Sequence, residues 1–577
     1  MMKNARFALV ICFLAVSAAV QAQTIFYLDG YGRTNITNDK MTGEAIDDDT
    51  LNTPSKGIGG NTLFDLGINL EKNEKFKANA ILRVENQFGL FYGQGTSLGF
   101  RQLRLEGVIG AGVKYELGDI DVKMTPYTVF NSDEMFNDFE SDIFKTRRDI
   151  LEYENFNVGN HWRLQGLQSY TNLLFDKGIE SLFIKGFAVR TNPTNGLDVA
   201  DRIMTGWTLM AKQSDILSLG VNYAGMLDLP ISIAQENYTN HVVTGQALVE
   251  LPIGDDMSVG VDVETGTSNY SFTKLALDST VEASDFFYDA DLVFKYNPMA
   301  IEFRAGYKDV GPQFYSPAAQ TGRLNPDITP DLFGSIPDNN DSVVTDRSQL
   351  LYDRFTQEAI YNRSISNTFT AYQSSMTNVS PYGKATPNRK GVKLQLAKGS
   401  SDSTLQVFFG LDNFKEAVPD NNAEAELRKF TALRAGLRVD VKQILDWEKE
   451  LNVTFGWNSE NTQRAGTDAI ELKSRLIDLG LTAEVFESFD VMVGSKMLKA
   501  NGNEFLNSYN EFNQLAGLPT ELDVDFTENI ISFGVRFRFS ETAAINVTNN
   551  QVSYTNNSFK GNSYNLSQWF LNYTLQF

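Results

Sequence analysis

The sequence predicts an all-β fold, a single transmembrane antiparallel β-barrel of roughly 18–22 strands with short turns at one end and long loops at the other. Three observations lead there. Apolar and polar residues alternate in runs of about ten along nearly the whole chain. Charged residues occupy the polar side of many runs, and aromatic residues gather where runs end.

The start of the chain sets the compartment. Lys3 and Arg6 precede an apolar run from Phe7 to Val20, which closes on Val20-Gln21-Ala22. Residues 1–22 therefore read as a secretory signal peptide cleaved before Gln23, the run being short of the ~20 residues of a helical span. Cys12, the only cysteine, lies inside this segment, so the exported part has no disulfide or cysteine metal site. The signal removes two of 50 basic residues, leaving 48 against 72 acidic ones and a net charge of −24. Such a chain repels nucleic-acid phosphates, and no nucleic-acid partner is expected. No later apolar run approaches a helical span, and no Pro- or Ser-rich linker divides residues 23–577, which read as one barrel domain.

The strands follow in order. Phe64, Leu66, Ile68 and Leu70 oppose Asp65, Gly67, Asn69 and Glu71. Val259, Val261 and Val263 oppose Gly260, Asp262 and Glu264, and Ile301, Phe303, Ala305 and Tyr307 oppose Glu302, Arg304, Gly306 and Lys308. The second half is cleaner: Leu433, Ala435, Leu437 and Val439 against Arg434, Gly436, Arg438 and Asp440, then Leu451, Val453, Phe455 and Trp457 against Asn452, Thr454, Gly456 and Asn458. Ile531, Phe533, Val535, Phe537 and Phe539 oppose Ser532, Gly534, Arg536, Arg538 and Ser540. In a strand, such sets face opposite sides of the sheet. A soluble sandwich alternates too, but its strands usually run about five or six residues, whereas these match the ~9–11 of a tilted span. The charges need water beside them, and Phe26, Tyr27, Trp457, Phe539, Trp569 and Tyr573 suit interfacial girdles.

Connections alternate in length. Short breaks fall near Lys72–Lys75, Asp119, Asp255-Asp256, Asn297-Pro298 and Glu541-Thr542; long ones span about 36–59, 132–150, 316–389 and 500–527. The chain closes on Trp569-Phe570-Leu571-Asn572-Tyr573-Thr574-Leu575-Gln576-Phe577, where the odd residues are apolar and most even ones polar. This last strand is expected to pair with the first near Ile25–Arg33. Together with the signal and the alternating spans, this terminal strand resembles the Gram-negative outer-membrane β-barrels of the large porin-like class, over essentially the whole exported chain. The resemblance implies the cell outer membrane, with Trp569, Tyr573 and Phe577 as the signal read by the barrel insertion machinery. A receptor with an amino-terminal plug fits less well, because spanning-type sequence begins at Thr24–Thr34.

Arg83, Arg104, Arg304, Arg434, Arg438, Arg536 and Arg538, with Asp262, Glu264 and Glu302, share the lumen parity and are the candidate selectivity residues. Two readings stand: a transverse field that orients solutes, or an ion-pair network that braces a hydrated interior. Arg434/Arg438 and Arg536/Arg538 lead as candidates, since paired arginines bind carboxylate or phosphate well. The insertion at 316–389, with Pro317, Pro326, Pro330, Pro337 and a helical stretch at Gln349–Ser364, reads as a lumen constriction, an outer lid or a mobile loop. Acidic clusters at Asp47–Asp49, Asp133–Asp142 and Glu521–Asp525 lack calcium-loop spacing. They are expected to form a solvated rim where divalent cations bridge to lipopolysaccharide, with no resident cofactor. Lys145, Arg147 and Arg148 read as a basic patch at lipid phosphates or as plain surface charge.

Only two histidines occur, His161 and His241, and no G-x-S-x-G, Walker A or H-E-x-x-H motif accompanies them, so no enzyme is expected. The expected function is a channel for passive or weakly selective passage of small polar solutes. The alternative is a non-conducting barrel, a subunit or scaffold of an outer-membrane secretion, assembly, motility or surface-attachment complex with protein partners.

Overall fold

The structure, a computed structural model, describes residues 24–577 except 45–55, 73–74, 88–94, 111, 132–138, 156–158, 193–199, 230–235, 275–278, 321–322, 325–344, 347–377, 400–403, 420–425, 467, 507–519 and 559–562. The signal peptide, Asp47–Asp49 and the helical stretch expected at Gln349–Ser364 lie outside the described residues.

Twenty-two strands form one closed antiparallel barrel, at the top of the expected range. The first seven are β1 (Thr24–Thr42), β2 (Lys56–Lys72), β3 (Phe76–Gln87), β4 (Thr96–Ile109), β5 (Val113–Val122), β6 (Trp162–Leu174) and β7 (Ser181–Asn192). Then come β8 (Arg202–Lys212), β9 (Leu217–Asp228), β10 (Glu236–Ile253), β11 (Met257–Lys274), β12 (Ser279–Tyr296), β13 (Ile301–Val310) and β14 (Arg389–Lys398). The last eight are β15 (Leu405–Lys415), β16 (Lys429–Asp440), β17 (Leu451–Arg464), β18 (Ile470–Phe486), β19 (Phe489–Leu506), β20 (Thr520–Ser540), β21 (Ala543–Asn556) and β22 (Tyr564–Gln576). Each strand pairs with the next, and β22 returns to β1, which closes the sheet. Helix α1 (Asp142–Asn155) lies between β5 and β6, and the short α2 (Val441–Leu445) joins β16 to β17.

Connections are short at one end, as at Glu487-Ser488 and Glu541-Thr542, and long at the other, where 123–161 and 311–388 are the largest. Side chains alternate as the period demands. On β22, Leu566, Gln568, Phe570 and Asn572 are buried on the lumen side, while Trp569 faces outward and is 56% exposed. Exposed Val261, Leu292, Phe303, Phe533 and Phe539 continue this outer belt, and Trp207, Tyr223 and His241 stack across β8, β9 and β10 with centroids 6.0 Å apart at each step. This is a β-barrel of the outer-membrane type. Tyr27 departs from the expected girdle, sharing the parity of the lumen-facing Tyr31 and Arg33.

Three boundaries differ from those read in the sequence. Strand β1 runs to Thr42 and β20 begins at Thr520, well inside the loops expected at 36–59 and 500–527. Above the apolar belt the backbone ladder continues, but outward positions such as Asn38 and Lys40 no longer need to be apolar, so the periodic signal stops before the strand does. Asp119 is not a turn. It continues β5 beyond a kink at Gly118 (φ 97°), and the reversal falls at Gly110 and Gly112, both with positive φ.

The closing seam is also shifted. β22 pairs with Tyr31–Thr42 rather than with Ile25–Arg33, and Thr24–Asp29 pair only with β2. A barrel closes with a stagger, which displaces the last strand along the first. Amide side chains cross the seam inside: Asn546 donates to Asn572 (3.4 Å), which donates to Asn35 (2.7 Å). Outside, Phe577 exchanges backbone bonds with Gly30 (2.9 and 3.2 Å) and stacks on Phe64 at 5.4 Å. A Cβ at Gly30 would sit 2.3 Å from the Phe577 ring, so this close approach needs glycine.

Candidate functional site: the lumen and its inward strap

The wall arginines are paired. Arg83 makes two 2.7 Å bonds to Asp65, and Arg104 reaches Glu116 (2.6 Å), Asp121 (3.3 Å) and Glu106 (3.5 Å). Arg304 lies between Glu302, Asp262 (3.7 Å) and Asp291 (3.9 Å), and Arg434 bonds Asp412. Arg536 holds Asp490 (2.7 Å), which Arg538 shares (3.0 Å) with Glu484 (3.1 Å) and Glu450 (3.4 Å). Glu264 lies opposite Asp289 in the β11–β12 register, next to the Asp262–Asp291 pair. Basic and acidic groups are thus interleaved rather than set in separate rows. Most remain partly exposed, Arg304 at 32% and Arg538 at 30% of the side chain, as ionised groups beside water would be.

One arginine behaves differently. Arg438 turns to the connection between β5 and β6, which folds into the barrel. Its segment Phe139–Phe144, called the strap here, lies against the lumen face of β16 to β20. Five glycines on those consecutive strands make room for it: Gly436, Gly456, Gly480, Gly494 and Gly534. A Cβ on Gly436 would come within 2.3 Å of the Phe139 ring, one on Gly480 within 2.1 Å of Ser141 Cβ, and one on Gly494 within 2.4 Å of Ile143. The register places Gly436 opposite Gly456 and Gly480 opposite Gly494, so the track is continuous across the strands. Glycine here provides close approach rather than an unusual φ.

Ion pairs fasten the strap. Glu140 and Lys496, each 4% exposed, meet at 2.5 Å, and Arg148 of α1 donates to both Glu140 oxygens at 2.5 and 3.3 Å. Lys496 also faces Asp478 at 3.5 Å. Arg438 donates to the Glu140 carbonyl (3.1 Å) and lies 3.5 Å from Asp142, which accepts from Thr482 Oγ1 (2.9 Å). The Ser141 N–H donates to Asp478 (3.3 Å). Burial pushes the Glu140 carboxyl up, but Arg148 and Lys496 outweigh it and hold it below its usual value; at Asp149 desolvation, with Glu140 nearby, outweighs Lys145 and Arg148 and raises the carboxyl. Further along α1, Arg147 bonds Gln568 and lies 4.1 Å over the Phe570 ring, while Tyr153 bonds Asp65 beneath Arg101.

The other long connection meets the same interior. The Trp162 indole donates to the Ala318 carbonyl (2.8 Å), Phe130 N to the same oxygen (2.9 Å), and Ser316 Oγ to Thr128 O (3.2 Å). Tyr127 stacks on Phe287 at 3.9 Å and donates to Asp289 (2.7 Å). Gln320 ties Phe314 O to Ala385 O (3.0 and 2.9 Å). Around these contacts the lumen face is apolar, with Ile120, Val122, Val189, Met204 and Met226 buried. Of the segment 316–389, most of the described ends, 316–320 and 378–388, are buried, and most of the middle lies outside the described residues.

Two expectations are corrected. Arg147 and Arg148 are buried lumen groups rather than a surface patch, because α1 carries them into the barrel where Gln568 and Glu140 receive them. Glu140 and Asp142, read with the acidic rim, point to Lys496 and Arg438. Residues 132–138 lie outside the described residues, and Glu521–Asp525 belong to β20. Among the described residues no group of three or more His, Cys, Asp or Glu side chains is placed to hold a metal ion. The strap was missed by sequence reasoning, although mid-strand glycines at lumen parity on five successive strands are a usable signal.

Neither a family model nor a curated protein matches the chain. Among solved structures, the unliganded ferric citrate transporter FecA is 10% identical over 95% of this chain and 79% of its own, with a TM-score of 0.49. A BenF-like porin from Pseudomonas fluorescens Pf-5 (9% identity, 96% and 99% coverage, TM-score 0.35) and OpdK from Pseudomonas aeruginosa (9%, 96% and 99%, 0.36) are also similar. With TM-scores below 0.5, these likenesses carry no cargo or mechanism to this chain.

Proposed function

We propose that the protein is a porin-like outer-membrane channel for small polar solutes, narrowed from within by the strap and the second inward connection. The observation that carries this reading is the partly exposed charge lining: interleaved arginine–carboxylate pairs from Arg104 through Arg304 to Arg538, on the inner face of a closed 22-strand barrel. Such pairs cost least where water or further hydrogen bonds satisfy what the partner does not. Planar-bilayer recording tests it. The purified barrel is expected to form discrete channels, and Arg434→Ser with Arg438→Ser to shift preference toward cations, because Asp412 and Asp142 lose their partners. Unchanged ion preference in channels of unchanged size would count against those two residues as selectivity determinants.

The buried interlock of the two connections favours a second reading, a closed barrel acting as scaffold in an outer-membrane complex. Silent bilayers and a stoichiometric protein partner on purification would favour it. In either case Trp569, Tyr573 and Phe577 serve as the signal for the insertion machinery. Acidic residues that remain outside the lumen, such as Glu521 and Asp523 at the start of β20, would meet lipopolysaccharide through divalent cations.

A further inference from the structure

We propose that the glycine track under the strap is a binding groove for an acidic peptide, and that Glu140-Ser141-Asp142, the turn that leads into α1, occupies it as an internal mimic. The inference deepens the channel reading and rests on it only in placing the groove on a solute path.

The floor comes first. Five adjacent strands spaced about 4.8 Å apart present glycine to the lumen, giving a trough roughly 19 Å long, which Phe139–Ser141 and the first turn of α1 cover. Glycines so aligned serve no strand pairing, since they weaken a strand and pack nothing themselves. They serve whatever lies on them.

The hooks above that floor are chemically specific. Lys496 and Arg438 take two carboxylates that sit two residues apart, Glu140 and Asp142, and Thr482 adds a hydroxyl donor to the second. Arg438 also donates to a backbone carbonyl, and Asp478 accepts from a backbone N–H. A donor for C=O together with an acceptor for N–H suits a peptide main chain, which a simple dicarboxylate does not offer. At the ends, Phe139 fills the hollow over Gly436 beside Phe408 (6.1 Å), and Ile143 and Phe144 pack with Met492. The groove therefore fits the order aromatic, acidic, small, acidic, aliphatic.

The same geometry makes the strap replaceable. Separating a buried ion pair is costly when it strands a charge. In the Glu140–Lys496 pair neither side is stranded: Lys496 keeps Asp478 on the wall, and Glu140 keeps Arg148, which belongs to the same connection; Arg438, whose partners are Asp142 and the Glu140 carbonyl, is the wall charge that an incoming carboxylate must take. An incoming acidic peptide then supplies the wall with the contacts the strap gave up.

The test uses full-length barrel in detergent and a fluorescent octapeptide copying residues 137–144, with its Glu/Asp-to-Gln/Asn counterpart as control. Anisotropy should show the acidic peptide binding E140Q/D142N at least about tenfold tighter than wild type, because the competitor is weakened. Adding K496M should abolish that gain, and the neutral peptide should bind at least about tenfold more weakly than the acidic one. A second variant guards against misfolding. A Cβ on Gly456 lies 3.6 Å from Phe139 Cβ, within the ~3.5–4.5 Å of a disulfide, so F139C/G456C with Cys12→Ser locks the strap when oxidised. Binding should vanish in the oxidised form and return on reduction. Equal binding to wild type and E140Q/D142N, to oxidised and reduced forms, or of both peptides would overturn the proposal. Peptide binding to a barrel that passes no current would leave the groove standing and remove the channel, and current without peptide binding would do the reverse.

Discussion

Glu140 is the residue on which the interior turns. Its carboxyl is held below its usual value by Arg148 and Lys496, against a burial effect that alone would raise it. The unfolded carboxyl titrates near ~4.3, so this pairing contributes its full stability above that pH and loses it as pH falls through the lower folded value. Asp478, Asp142 and Arg438 surround the same point. Conductance is accordingly expected to stay flat from neutral pH down to about 5 and to rise in stronger acid, as the strap loosens. A titration of single-channel current checks this, and a rise already complete at neutral pH would argue against the latch. Replacing Lys496 by Met leaves Glu140 on Arg148 alone, and should open the strap at every pH.

Strands impose their own demands. On the outer face, a charge at the bilayer midplane costs about 2–4 kcal/mol in barrels of this kind, so Phe533→Arg and Val261→Arg should each lower unfolding stability by that order, whereas exposed Lys40, beyond the apolar belt, should accept Glu with little change. Urea unfolding in lipid vesicles reads the difference. At the seam, Gly30 leaves no room for a side chain beneath Phe577. Gly30→Val and deletion of Phe577 should therefore reduce the folded fraction seen as heat-modifiable migration on gels. Deletion that left insertion intact would remove Phe577 from the assembly signal.

At the scale of the molecule, the barrel was legible because one constraint repeats along it. Every span needs apolar residues outside and polar ones inside, and the period of two prints that in the sequence, as along Leu433–Asp440 and Ile531–Ser540. Strand ends such as Lys40–Thr42 were illegible for the same reason: beyond the lipid both faces are polar and the period fades. The seam register was hidden because Asn35 and Asn572 meet 537 residues apart in sequence, through a stagger that no local pattern records. The strap was harder still. Glu140, Arg147 and Arg148 look like exposed loop charges until the connection is seen folded inward, and only Gly436, Gly456, Gly480, Gly494 and Gly534 hinted at it. The parity of the candidate arginines can be read along one strand, but their carboxylate partners on neighbouring strands depend on register.

The lumen is proposed to conduct, with the strap narrowing it. Single-channel recording of wild type beside E140Q/K496M, with insertion verified by heat-modifiability, tests it most directly. Discrete openings in wild type and a larger unit conductance in the variant are expected; a correctly inserted barrel that passes no current in either form would contradict the account.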